Sequence, residues 1–211
     1  MKEYNNDPSK RHTHNCYAFA VGYNDPRKIE ECKQTSECNT RFHVPGKKSG
    51  HPGFSGNLGK RCGDIVARTM ADIPEARLSN FSQKCPAGMS KIAVVVDEDS
   101  DFHYYAQSKN GYWLHKPGGR AATDKDAAGS AIYRPDLASR YYPAEYEGDK
   151  PLNYDGFCSY MCVPRTHPNV IYGGKKKSRK VSKKGSKKHV SLNGHVRQSK
   201  QLRKATLKRK N

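Results

Sequence analysis

Cys16, His103 and His115 are the residues of this chain whose types and spacing could do covalent chemistry. A thiolate attacks a carbonyl carbon, one imidazole takes and returns the proton, and a further polar group holds that imidazole in the correct tautomer. Cys16 follows Asn15, a strong helix N-cap, in the stretch NCYAFAVGYNDP (15–26). At the first helical position, unpaired backbone N–H groups and the helix dipole favour a thiolate. The two histidines stand twelve residues apart in DFHYYAQSKNGYWLHKPGG (101–119), on either side of the hairpin signal Asn110-Gly111.

Whether the imidazoles meet depends on the parity of the loop, because alternate side chains of a strand point to opposite faces. A two-residue loop pairs Ala106 with His115 and sends His103 and His115 to opposite sides. A three-residue loop, Lys109-Asn110-Gly111, pairs Tyr105 with His115. It puts His103, Tyr105, Trp113 and His115 on one face, with Gly111 left-handed. Asn-Gly suits both loops.

The elements that would carry these residues are legible in the flanking pattern. The apolar run Tyr17–Val21, stopped by Gly22, predicts a short helix. Ile65, Val66, Met70 and Ile73 recur at helical spacing in CGDIVARTMADIP (62–74), with Pro74 as the stop. KIAVVVD (91–97) is β-branched and reads as a central strand. Residues 23–61, with the glycine- and proline-rich PGKKSGHPGFSGNLG (45–59), read as loop. Residues 120–174 read as a Tyr/Pro/Asp-rich meander with weak strand character at 131–133. The expected fold class is α+β, a small domain with an N-terminal helix and an antiparallel sheet, followed by a basic tail.

Of 211 residues, 39 are Lys or Arg and 20 are Asp or Glu, giving a formal charge of +19. The excess is local. Residues 175–211 hold 16 Lys and Arg and no acid, leaving 23 bases against 20 acids over residues 1–174. The expected boundary therefore falls between a folded domain, 1–174, and a Lys/Arg-rich tail, 175–211, too polar to fold alone. Lys175, Lys176, Lys177, Arg179, Lys180, Lys183, Lys184, Lys187 and Lys188 are its densest cluster and the expected contacts for nucleic acid or acidic protein surfaces. The tail has no aromatic residue, so stacking on single-stranded bases is not on offer.

The longest aliphatic run, Ile92–Val96, is far short of the ~20 apolar residues of a membrane-spanning helix. The first fifteen residues hold no apolar stretch of the secretory kind. Seven cysteines without such a signal predict reduced thiols and an intracellular site. No pair forms a C-x-x-C knuckle, and no metal or cofactor is called for.

The order Cys at a helix start, a strand, then His opening a hairpin that ends in a second His resembles the NlpC-type, papain-like cysteine peptidases. The resemblance implies Cys16 as nucleophile, His103 as general base and His115 as the orienting third residue. Asn-Cys-Tyr stands where bacterial cell-wall peptidases have Asp-Cys-Ser-Gly, which points away from peptidoglycan. Over residues 15–164, NCYAFA, CGDIVARTMADIP, KIAVVVD, DFHYYAQSKNGYWLHKPGG and NYDGFCSYMCVP are similar to a poorly characterised group from large DNA viruses and some bacteria. That similarity implies a virion-associated protein, a minor capsid component with a thiol-hydrolase-like domain. Its tail would then contact nucleic acid or capsid proteins. The alternative is an active cysteine peptidase or amidase whose tail is only a tether.

Overall fold

The structure, a computed structural model, describes residues 1–35, 37–38, 42–54, 60–98, 100–144 and 150–165. The expected polyanion contacts Lys175 to Lys188 lie outside the described residues. Among the described residues, five helices and seven strands follow in the order α1 (Lys2–Asn6), α2 (Pro8–Thr13), α3 (Cys16–Val21), α4 (Pro26–Thr35), α5 (Cys62–Asp72), β1 (Arg77–Ser79), β2 (Met89–Asp97), β3 (Asp101–Gln107), β4 (Trp113–His115), β5 (Tyr141–Tyr142), β6 (Leu152–Asn153) and β7 (Gly156–Pro164). The α+β expectation holds. The main sheet has the antiparallel order β1-β7-β2-β3-β4, and β5-β6 forms a separate ribbon.

β2 sits at the centre, and its composition explains why. Ile92, Val94 and Val96 face a core built with α3, α5, Phe102, Tyr104, Met161 and Val163. Ala93 and Val95 face Tyr105, Trp113, Ile132, Tyr154 and Tyr160 on the opposite side. A strand covered on both faces needs no polar alternation, so IAVVV reads as one apolar run. Burying each large side chain contributes roughly 1.5–3 kcal/mol.

The register of β7 against β2 slips between Val94, opposite Ser159, and Val95, opposite Phe157. Cys158 is the extra residue of this bulge. The slip turns Phe157 toward Tyr160 and Cys158 toward the helices, where it bonds Cys62 at the start of α5. Gly156 lies at the same place, and a Cβ there would come within 2.7 Å of Val96 Cγ2.

The helices α3 and α5 are tied together by one carboxylate. Asp72, 2% exposed, accepts from Tyr17 Oη at 3.0 Å, from the Gly46 and Ser49 N–H groups at 2.8 Å each, and from Ser49 Oγ at 2.9 Å. It thereby fixes part of the glycine-rich loop against the helix that carries Cys16.

Four expectations need correction. Residues 23–61 are not all loop, since α4 occupies Pro26–Thr35, capped by Asp25 Oδ1 accepting from Lys28 N. β7 lies inside the supposed meander; its Cys and Tyr residues conceal a nine-residue strand. The thiols are not reduced: Cys32–Cys38, Cys62–Cys158 and Cys85–Cys162 are disulfides. An intracellular site consequently does not fit, because such a framework forms and persists where the surroundings are oxidising. Cys16 is the single free cysteine.

Two outcomes are expected. Thiol titration in denaturant without reductant yields one reactive sulfur per chain, at Cys16, and seven after reduction. Asp72→Ala strands donors on α3 and on the loop at Gly46 and Ser49, and costs at least about 3 kcal/mol of stability in urea unfolding.

Candidate active site

Asn15 caps α3 as its sequence predicts, with Oδ1 accepting from Ala18 N at 3.1 Å. Its Nδ2 donates to the His43 carbonyl at 3.0 Å, which fixes the cap to the preceding loop. Gly22 closes the helix at φ +69, where its N–H reaches the Ala18 and Phe19 carbonyls. Cys16 is thus held at the first helical position, and its thiol donates to the Phe102 carbonyl of β3 at 3.8 Å.

The hairpin has the three-residue loop. Tyr105 pairs with His115 and Gln107 with Trp113; Ser108 N donates to Tyr112 O at 2.8 Å and Gly111 N to Ser108 O at 3.0 Å. Gly111 sits at φ +89, a conformation that favours glycine. The odd loop puts both imidazoles on one face. His103 Nε2 and His115 Nδ1 are 2.7 Å apart, with the rings nearly perpendicular at 84°.

The protons can be assigned from the far end of this chain. His115 Nε2 lies 2.8 Å from the Lys125 carbonyl, which only accepts, so Nε2 carries the hydrogen. In a neutral ring Nδ1 is then an acceptor, and His103 Nε2–H must donate to it. His103 Nδ1 is left with the lone pair, ready to receive a proton. The assignment requires neutral rings, and burial keeps them so. His103 is held well below the usual histidine range by desolvation and then by the charge of His115. Desolvation also lowers His115, against the pull of the Lys125 carbonyl.

Lys125 reaches that position through local pairing. His115 and Thr123 exchange backbone hydrogen bonds of 2.9 and 2.8 Å, and Lys125 bridges to Ala131. Sequence reasoning missed this partner, because a main-chain carbonyl leaves no mark in residue type. It also missed Tyr154, whose ring lies 5.3 Å from His103 and whose hydroxyl donates to Asp101 at 2.6 Å.

Cys16 and His103 line one cavity of about 570 Å³, walled also by Phe42, Asp101, Gly118 and Tyr154. Cys16 is 5% exposed. Burial pushes it up to about 12, and the Asp101 carboxylate adds to the rise. The Tyr104 and Tyr17 backbone N–H groups act in the other direction. The resting groups on this cavity are therefore a neutral thiol and a neutral imidazole.

Cys32 and Cys38, which could have joined His43 as metal ligands, bond each other instead. Among the described residues, no group of three or more His, Cys, Asp or Glu is placed to hold a metal ion. No described helix is long and apolar enough to cross a membrane.

No family model matches the chain, and no solved structure matches it. Among curated proteins, it is 29% identical over 148 residues to "Insoluble matrix shell protein 1" of Ruditapes philippinarum, covering 70% of this chain and 84% of that relative. This finding overturns the expected virion setting: the relative is a molluscan shell-matrix protein, not a minor capsid protein of a large DNA virus.

The buried histidines predict the pH dependence of stability. His14 and His43 are lowered to about 4, chiefly by burial, and His103 and His115 are lowered by the same cause. The unfolded chain takes up protons near its ordinary histidine pKa of about 6.5, while the folded chain does not. Stability is therefore expected to be full above about pH 6.5 and to fall as pH drops toward 4. Each tenfold loss of proton affinity on folding is worth about 1.4 kcal/mol per histidine, which urea unfolding at graded pH would measure.

Proposed function

We propose that this chain is a thiol hydrolase of the papain-like, NlpC type, acting on a peptide or other amide in an extracellular, oxidising setting. The supporting observation is the directed chain His103–His115–Lys125 carbonyl, which leaves one basic nitrogen on the imidazole that shares a cavity with the single free thiol.

In this reading the Cys16 proton passes to His103 Nδ1 as sulfur bonds to the substrate carbonyl carbon. The imidazolium is stabilised by donation from Nε2–H to His115. Collapse of the tetrahedral intermediate breaks the C–N bond, and His103 returns its proton to the leaving amine. Water then adds to the thioester with His103 again as base, releasing the acid and restoring the thiol.

The setting rests on the three disulfides and on the relative, whose name places it in a shell matrix. That name also favours a second reading, a matrix component that retains the scaffold without turnover. In either case the tail would serve as a cationic tether to polyanionic surroundings.

Alkylation of native protein by iodoacetamide, located by mass spectrometry, separates the two. With a working base, His103→Ala slows modification of Cys16 at pH 7.5 by about a hundredfold, the lower end for general-base assistance. Equal rates in the two proteins, with the fold unchanged by circular dichroism, would sink the hydrolase reading.

A further inference from the structure

The segment His115-Lys116-Pro117-Gly118-Gly119 contains a lysine that the hydrolytic scheme does not use. His115, the last residue of β4, enters the histidine chain, while Lys116, just past the strand, reaches the segment that leads into α3. Lys116 is 0% exposed. Its Nζ donates to the His14 carbonyl at 2.5 Å and to the Gly118 carbonyl at 2.6 Å. His14 immediately precedes the Asn15 cap, so the ammonium is fastened to the start of the Cys16 helix. Pro117 and Gly118 make the turn that returns a carbonyl to it: Arg120 N donates to Pro117 O at 2.8 Å, and Gly118 sits at φ +42.

A buried ammonium is costly without an anion. The groups that act on Lys116 are Cys16, which favours its charge, and Arg11, which opposes it. His14 feels it in turn, and Cys16 is also faced by Asp101 and by the phenols of Tyr104, Tyr105 and Tyr154. Loss of the Cys16 proton would create a negative charge that favours the charged lysine.

We propose that Lys116 is a positioning residue that anchors the Cys16 helix to the His115–Gly119 turn and supplies the buried positive charge against which the Cys16 thiolate forms. The proposal rests on the hydrolase reading and deepens it. The lysine touches neither substrate nor the transferred proton; its charge offsets the Asp101 carboxylate at the moment the thiol loses its proton. Desolvation lowers it to about 8, which leaves it mostly protonated at neutral pH.

The test follows the rate of Cys16 alkylation by iodoacetamide at about pH 7, where the lysine is charged and the thiol protonated, in the wild type, Lys116→Gln and Lys116→Arg. Glutamine keeps N–H donors for the two carbonyls without the charge; arginine keeps the charge. The proposal expects the glutamine variant to react about tenfold slower. Arginine should restore most of the rate. An unchanged rate in folded Lys116→Gln overturns it, and so does a loss that arginine repeats in full, which would mark a purely structural role.

If the variants do not fold, the reciprocal measurement uses acetic anhydride labelling of Lys116 in wild type and Cys16→Ser. A lower lysine midpoint after loss of the thiol supports the coupling, and identical midpoints refute it. Slow alkylation in His103→Ala together with an unaltered rate in Lys116→Gln rejects this inference alone. No effect in either variant rejects both readings.

Discussion

The hydrogen bond from Gly111 N to Ser108 O closes a loop of odd length, and the register it sets governs the candidate site. With Tyr105 opposite His115, the side-chain directions along the ribbon fall into place. His103 and His115 share a face, and His115 presents its outer nitrogen to the segment that returns past Thr123. One residue more or fewer in the loop would turn His115 to the face opposite His103.

Once the imidazoles are buried together, satisfaction of their polar atoms dictates the chemistry. Two rings at 4% and 1% exposure would be costly if a nitrogen were stranded, and the Lys125 carbonyl removes that cost at one end. Because a carbonyl cannot donate, its presence propagates a direction through both rings. The same burial that keeps the rings neutral also keeps the Cys16 thiol protonated. At rest these groups are a neutral thiol and neutral imidazoles, not a preformed thiolate–imidazolium pair. Lys116, fully buried, fastens its ammonium to the His14 carbonyl just ahead of the same helix.

The scaffold holds this arrangement by covering β2 on both faces and by cross-linking elements that lie far apart in the chain. Cys62–Cys158 and Cys85–Cys162 close 96 and 77 residues respectively. Cross-links of that span restrict the unfolded chain strongly, by roughly 4 kcal/mol each in the loop-entropy picture. The bulge at Cys158 shows how the cross-link and the packing are coupled. Without the slipped register, neither Phe157 nor Cys158 would face its partner. The one free cysteine, Cys16, is 5% exposed and lines a cavity with Phe42, Gly118 and Tyr154.

Much of this was legible from the chain alone. The Asn15 cap, the Gly22 stop, the periodicity of residues 62–74 and the β-branched run at 92–96 act through neighbours a few residues away, so local pattern records them. Cys16, His103 and His115 stood out because their residue types are rare and chemically specific. The loop parity was undetermined, since Asn-Gly fits both turns and only the packing of Tyr105, Trp113 and the histidines selects one. Cysteine pairing was misjudged because partners 77 and 96 residues apart meet only after the sheet has formed. β7 was hidden because its strand character depends on lying beside β2. The Lys125 carbonyl and the buried Lys116 carry no residue-type signal for their roles. Sequence determined which groups could react; long-range packing decided which face they share, which protons they hold and what charge stands behind them.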